Sequence, residues 1–397
     1  MQNVHTKNTF HLKNVRIVQP GKTISPGDVL VKDGRIAALG SALGASSVDG
    51  LTAIDGRGRL LTPGLIDVHT HGLRHHLYAG GPDSLRTAAK DLGKFGVTTV
   101  VPTIVPQVQP GWLEEISAIV AAIPTVQGVN IPGLHLEGPF MAIRGSAAPT
   151  LSGDLSLLED ILAACQGRLT VMSLSPETPG ILPVIQRLRE NGILVFLTHT
   201  RASVEETEVA IAAGARHATH FYDVFYSLPE TDPGVRPVGV VEAVLADRRV
   251  TVDFIGDGIH VHPAAIRAAV AAKGYGGITL ITDSVFGAGL PPATYDTPWG
   301  YKIRLGEDGA PRHITEGYLA GSALTMNRGM ANFLRWLDLP PEQTWAMGTL
   351  NPARLLNLEQ KGKIEIGADA DLVLWQDDLQ PAQTWVKGVT SYSRERP

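Results

Sequence analysis

A single cysteine, Cys165, occurs in 397 residues. One thiol excludes an internal disulfide framework and any Cys-X-X-Cys redox or zinc motif. It lies in the stripe Leu158, Ile161, Leu162, Cys165, the i, i+3, i+4, i+7 spacing of a buried helix face, so it is expected to be a core thiol and not a nucleophile. No run approaches the roughly 20 apolar residues that a membrane-spanning helix needs. Met1 to Phe10 shows none of the apolar stretch of an export signal. A basic excess is missing too, since 34 Lys and Arg stand against 39 Asp and Glu, a formal charge of −5. Without a positive field, neither nucleic acid nor an anionic membrane is an expected partner. The chain has no phosphate-cradling P-loop, and Gly321-Ser322-Ala323 lacks the form of a nucleophile elbow. These absences leave a cytoplasmic protein that acts on a small molecule as the expectation.

What is abundant is apolar content, at 44%, together with 43 glycines and 27 prolines. That combination builds a large core from many short elements joined by tight turns. Residues 1–62 carry short β-like runs (Val15 to Val18, Val29 to Val31, Ile36 to Leu39) and read as part of a small antiparallel β domain. From Pro63 the pattern becomes strand, loop, helix, repeated. The expected strands are Leu65–Val68, Thr98–Val101, Gly133–Leu136, Thr170–Leu174, Leu194–Thr198, Ala218–Phe221, Val250–Ile255 and Thr279–Thr282. Each is an apolar run with little alternation, as in strands buried on both faces. The expected helices between and after them are Leu85–Phe95, Leu113–Ile123, Leu155–Cys165, Ile181–Glu190, Val204–Ala213, Val238–Ala246, Pro263–Lys273 and Leu324–Leu337. Eight alternating pairs predict an α/β fold, a (β/α)8 TIM-type barrel over residues 63–350, with an open doubly wound sheet as the alternative. Residues 351–397 (Asn351-Pro352-Ala353, Gly362-Lys363-Ile364, Ala370 to Leu374) read as β-like again. They are expected to complete a small discontinuous β-sandwich domain with residues 1–62.

In such a barrel the active site lies at the carboxyl ends of the strands. There the chain places His69 and His71, His135 and Glu137, His199, His220, then Asp257 with His260, and Asp283. A lone histidine would mean little, but imidazole or carboxylate at one end of six strands is costly to bury without a compensating charge, and a divalent cation is the simplest one. His69 and His71, two apart, can reach the same ion; a polar barrel-lining pair is the plainer reading. Glu137, His199 and His220 come from three strands, the ligand count of a catalytic zinc-type site, or they form a satisfied buried polar cluster. Asp283 is a candidate general base, with metal ligand or helix N-cap as alternatives.

These residues carry a resemblance to the amidohydrolase superfamily, and within it to the N-acetylglucosamine-6-phosphate deacetylases. The matching segments are Pro63 to Gly72, His135-Leu136-Glu137-Gly138-Pro139-Phe140, Thr198-His199-Thr200, Ala218-Thr219-His220, Asp257 to Val261, Leu280 to Asp283, Leu319 to Met326, Asn351-Pro352-Ala353 and Gly367 to Asp371. The resemblance implies a metal-dependent hydrolase that removes the acetyl group of an N-acetylated amino sugar. Glu137, His199 and His220 would hold the main ion and His69 and His71 a second, giving one or two per subunit. Zinc comes first, and iron, manganese or cobalt suit the same ligands. Asp283 would take a proton from water and give it to the departing amine. His260 and the backbone of Leu319, Ala320 and Gly321 would contact substrate, and a homodimer is implied.

Three segments depart from that resemblance. Arg144-Gly145-Ser146-Ala147-Ala148 lacks the family's substrate-contacting histidine, Asp223-Val224 replaces an Asn-Ala pair that binds phosphate, and Thr231 stands where a phosphate-binding arginine is expected. A carboxylate beside a phosphate is repulsive, so an altered phosphate pocket is expected. Arg74 with His75 and His76, Arg201 and Arg236 are the candidates for meeting an anion from another direction. The competing expectations are a same-fold hydrolase for another N-acyl or cyclic amide, a deaminase, and a non-catalytic homologue. Cyclic amidohydrolases use a carboxylated lysine on the fourth strand, and Leu169 to Ser175 contains no lysine.

Overall fold

The computed structural model describes residues 8–41, 43, 50–144 and 149–394. Its first five strands are β1 (Phe10–Gln19), β2 (Thr23–Lys32), β3 (Arg35–Gly40), β4 (Ala53–Asp55) and β5 (Leu60–Pro63). The chain then enters the barrel with β6 (Leu65–Thr70), a two-residue hairpin β7 (Gly72–Leu73) and β8 (His76–Leu77), and the barrel strands β9 (Val97–Ile104), β10 (Leu134–Glu137), β11 (Leu169–Leu174), β12 (Leu194–Leu197), β13 (His217–Ala218), β14 (Thr251–Ile255) and β15 (Ile278–Ile281).

The eight barrel strands run in the order 15-14-13-12-11-10-9-6, every pair parallel. Helices follow them: Pro82–Leu92, Trp112–Ala122, Leu155–Cys165, Ile181–Glu190, Val204–Ala213, Val240–Ala246, Pro263–Lys273 and Met326–Trp336. The (β/α)8 expectation is borne out, and the open doubly wound sheet is set aside. The seam between first and last strand closes at the carboxyl rim: the Asp283 amide donates to the His69 carbonyl at 2.9 Å, and the His71 amide to that of Ser284 at 2.8 Å. The Thr282 hydroxyl donates to the Asp67 carboxylate across the same seam at 2.6 Å.

Packing explains the strand composition. Ile66, Val68, Val101, Val171, Phe196, Ile255 and Ile281 fill the barrel interior, while a larger shell of apolar side chains sits between strands and helices. Cys165, at the end of its helix, is fully buried in that shell, where burial pushes the thiol up to about 12, as an inert core cysteine requires. No described helix is long and apolar enough to cross a membrane.

The small sheet draws strands from both ends of the chain. Its order is 21-20-19-5-1-2-3, with β19 (Leu372–Trp375), β20 (Pro381–Val386) and β21 (Val389–Ser393) supplied by the C-terminal part. It curls over its own core, so that Phe10 of β1 stacks on Trp385 of β20 at 5.4 Å, and Ile36 of β3 bonds to Ala368 at 2.9 Å. The sheet is mixed and not purely antiparallel, because β4 and β5 both pair with β1 in parallel.

A second difference concerns Asn351-Pro352-Ala353, read above as β-like. These residues lie in the helix Leu350–Leu355. Their surroundings decide it. Ala353 and Leu356 plug the base of the barrel interior, and the Asn351 amide donates to the carbonyls of Tyr275 and Ile278 at 2.7 Å each. A further helix, Pro341–Gly348, and a three-stranded antiparallel insertion, β16 (Ala293–Asp296), β17 (Lys302–Leu305) and β18 (Pro311–His313), were not anticipated from the sequence.

Candidate active site

Five predicted ligands converge at the carboxyl rim around one carboxylate. The Nε2 atoms of His199 and His220 each lie 3.0 Å from Glu137 Oε1. Those of His71 and His69 lie 3.3 and 3.7 Å from Glu137 Oε2. Glu137 therefore faces one imidazole pair with each oxygen. Asp283 Oδ1 closes the second group, 3.2 Å from His71 and 3.4 Å from His69. His69, Glu137, His199 and His220 are all buried, and His71 is half-buried.

The local backbone aims these groups. His199 and His220 sit just past the ends of β12 and β13, and Asp283 just past β15, with φ of +46°, +36° and +47°. The left-handed region is unfavourable for such residues and persists where surrounding structure enforces it, often at functional sites. After His199 the chain is fixed by a capping box: Ser203 and Glu206 bond each other's amides at 2.8 and 3.1 Å and start the helix Val204–Ala213.

Charge tests whether a cation suits the cluster. Burial would raise the Glu137 carboxyl, but His69 beside it and hydrogen bonds from His199 and His220 hold it well below the usual carboxylate range. Asp283, which burial would likewise raise, is held at about 2, chiefly by His69 and His71. Burial would depress the imidazoles, yet hydrogen bonds with Asp283 and Glu137 lift His71 to about 10, and Glu137 does the same for His220. One Nε2, that of His69, is buried with no hydrogen bond and faces this cluster. Two sets of donor atoms, His69-His71-Glu137 and Glu137-His199-His220, each lie within 4.8 Å of one another. Ligand atoms about 2 Å from a tetrahedral ion are separated by a little over 3 Å, so the donor sets fit a divalent cation in chemistry and spacing.

A proton balance follows. Metal-ligating imidazoles must be neutral. With folded values near 10, His71 and His220 carry protons at neutral pH without a cation, so metal uptake at pH 7 is expected to expel about one proton from each. Affinity then rises with pH until about 10. Titration calorimetry with zinc in two buffers of different ionisation enthalpy measures the number released; no release would contradict the assignment.

Other predicted residues are placed as follows. His260 Nδ1 bonds Asp257 Oδ2 at 2.6 Å, and the same carboxylate accepts the His260 amide at 3.0 Å. Burial opposes protonation, but Asp257, then Asp223 and Asp283, raise the His260 imidazole above its ordinary value. Asp223 is half-buried next to the cluster, and its carbonyl accepts from His220 Nδ1 at 3.2 Å. Burial raises its carboxyl, against the pull of His220 and His260. Val224 follows with φ of +56°, its carbonyl accepting the Thr200 amide. Leu319 and Ala320 pair with β18, through the bridge of Arg312 with Leu319 and the Ala320 amide on the Pro311 carbonyl, and Gly321 leads into the bridge of Ser322 with Ser284, next to Asp283. Gly321 has φ of +79°, and a Cβ there would stand 2.8 Å from Val285, so glycine is required at that crossing.

The candidate anion binders have protein partners. Arg74 bonds Asp91 at 2.8 Å, Arg236 bonds Glu242, and the Arg201 guanidinium lies 5.6 Å over the Tyr226 ring. Residues 145–148, where the substrate-contacting histidine is lacking, lie outside the described residues. His135 stands apart from the ligands: its ring bonds Ser173 at 2.9 Å inside the barrel, and burial, with His69 beside it, keeps it well below its ordinary value. Sequence reasoning named Thr219 only as part of a matching segment and Asp253 not at all, yet the Thr219 hydroxyl donates to Asp253 at 3.0 Å beneath the histidines. The available signal was a lone acid inside the apolar run Val250–Ile255.

The profile of the amidohydrolase family matches residues 60–390. The chain belongs to the amidohydrolase family. Among its curated relatives, this amidohydrolase is 34% identical to an N-acetylglucosamine-6-phosphate deacetylase of Vibrio furnissii over 97% of this chain and 96% of that one. It is 31% identical to an N-acetylgalactosamine-6-phosphate deacetylase of Escherichia coli O157:H7, over 83% and 87%. A solved structure of a mutant N-acetyl-D-glucosamine-6-phosphate deacetylase from Mycobacterium smegmatis, in complex with N-acetyl-D-glucosamine-6-phosphate, superposes with a TM-score of 0.84 at 25% identity, covering 97% of this chain and all of that one. The resemblance read from the sequence is thereby borne out.

Proposed function

We propose that this amidohydrolase cleaves the acetamide C–N bond of an N-acetylated amino sugar, releasing acetate and the free amine. The observation that carries the reading is the single carboxylate of Glu137 set between two imidazole pairs, with Asp283 3.2 Å from His71 at the open rim. A divalent cation held by Glu137, His199 and His220, with His69 and His71 able to hold a second, supplies Lewis acidity toward the acetyl carbonyl when bound. Zinc is the first choice for these ligands.

The chain's own groups do the rest. Asp283, ionised at neutral pH, accepts a proton from the attacking water at its carboxylate and returns it to the sugar nitrogen as the C–N bond breaks. His260, held by Asp257, faces the same rim and donates to the substrate. The segment Leu319–Gly321 lines it with backbone groups. We also propose a homodimer working in the cytoplasm. Metal-loaded protein should release acetate from N-acetylglucosamine, its 6-phosphate or the galactosamine analogues; release of ammonia instead of acetate would point to a deaminase.

Asp223 bears on which of these is preferred. Its half-buried carboxylate makes no ion pair with a lysine or arginine among the described residues, and Arg74 and Arg236 are each paired elsewhere. The pocket is therefore expected to disfavour a phosphate. Asp223→Asn should raise kcat/KM for a 6-phosphorylated substrate about tenfold, the scale of one screened charge repulsion of 1 to 2 kcal/mol, and leave the unphosphorylated sugar nearly unchanged. Parallel kinetics on both sugars measures this. A wild-type enzyme that strongly prefers the phosphosugar would overturn it.

A further inference from the structure

A buried polar network lies directly beneath the candidate ligands, around the one acid of a mostly apolar strand. Asp253, in β14, is fully buried. Its Oδ2 accepts from His217 Nε2 at 2.8 Å and from the Thr219 hydroxyl at 3.0 Å, and its Oδ1 accepts the backbone amide of His220. The Thr219 oxygen also lies 2.8 Å from His69 Nδ1. One carboxylate thus touches the backbone of one candidate ligand and reaches the ring of another through a single hydroxyl.

Hydrogen counting gives this chain a direction. Thr219 has one hydroxyl hydrogen, and an ionised carboxylate can only accept, so that hydrogen goes to Asp253. The Thr219 oxygen must then accept from His69, which places the ring proton on Nδ1 and leaves Nε2 with its lone pair. That Nε2 is the buried atom without a hydrogen bond, directed at Glu137 and Asp283. On the other branch, the His220 amide is held on Asp253 at the residue whose φ is +36°. Outer carboxylates that orient ligating histidines commonly set both ring tautomer and ring direction.

We infer that Asp253 is a positioning residue of the metal centre, fixing the tautomer of His69 through Thr219 and the backbone turn of His220 through its amide. The inference rests on the reading of the cluster as a metal site. Asp253→Asn reverses the chain: a carboxamide NH2 facing Thr219 would turn its hydroxyl toward His69 Nδ1 and move the ring proton onto Nε2, where a ligand lone pair is needed.

The test is zinc affinity, measured by chelator competition on purified full-length protein, with circular dichroism to establish folding. Asp253→Asn is expected to weaken zinc binding 10- to 100-fold. Thr219→Val, which cuts only the His69 branch, should weaken it less, and Thr219→Ser, which restores the hydroxyl, should return it to within about twofold of wild type. A merely structural Thr219 would show no such rescue by serine. If Asp253→Asn does not fold, the Thr219 pair carries the test. Unchanged affinity in Thr219→Val, or in a folded Asp253→Asn, overturns the inference. Absence of zinc binding in the wild type would instead overturn the metal-site reading on which it rests.

Discussion

Asp283→Asn is expected to lower kcat about 10²- to 10⁴-fold, the usual worth of a positioned acid–base group, while metal content and KM stay near wild type. The asparagine side chain keeps the shape of the aspartate and can still hydrogen-bond to His71, but it cannot accept a proton from water. In the metal-free site His69 and His71 hold Asp283 at about 2, and a cation bound beside it would take over that role when those imidazoles are neutral, so its basic form is present throughout the neutral range. The loss should therefore be constant between pH 6 and 9 and not confined to one limb of the profile. Metal analysis beside the kinetics separates two roles. A variant that loses metal together with activity would make Asp283 a ligand.

A larger loss is expected from Glu137→Gln, because each oxygen of that carboxylate serves a different imidazole pair. An amide removes the charge and presents an NH2 group to at least two ring nitrogens that must act as ligands. Metal stoichiometry should fall to background at both donor sets, and kcat/KM should fall by more than about 10⁴-fold, as when a whole catalytic constellation is disabled. His199→Asn, which touches the Oε1 side alone, should retain part of the metal. Elemental analysis of both variants, purified in parallel, decides the matter. If Glu137→Gln keeps full metal content, the carboxylate does not bridge the two groups.

The legible part of this site shares one physical origin. Barrel strands buried on both faces are apolar runs, so a titratable residue at the end of such a run stands out, and Glu137, His199, His220 and Asp283 each stand there. Helix boundaries were readable from one local signal each, the apolar periodicity of Ile181–Glu190 and the Ser203–Glu206 capping box that opens Val204–Ala213. What was not legible depends on partners distant in the chain. Asp253 looks like one polar residue in a strand until Thr219, His217 and the His220 amide are brought to it. Asn351 is helical because carbonyls of Tyr275 and Ile278 await its amide, which no local pattern records. Arg74 reads as a free cation until Asp91 comes within 2.8 Å.

The small sheet binds the two ends of the chain, since β5 ends at Pro63 and its neighbour β19 begins at Leu372. During synthesis the early strands leave the ribosome with one edge unpaired and apolar side chains exposed. They wait on the order of tens of seconds for the rest to be made. The barrel can close in the meantime, but the sheet that holds its two ends cannot. Emergence of β19, β20 and β21, and not of the barrel, should mark the onset of protease resistance for β1, β2, β3 and β5. That interval is when the nascent protein has most need of a chaperone.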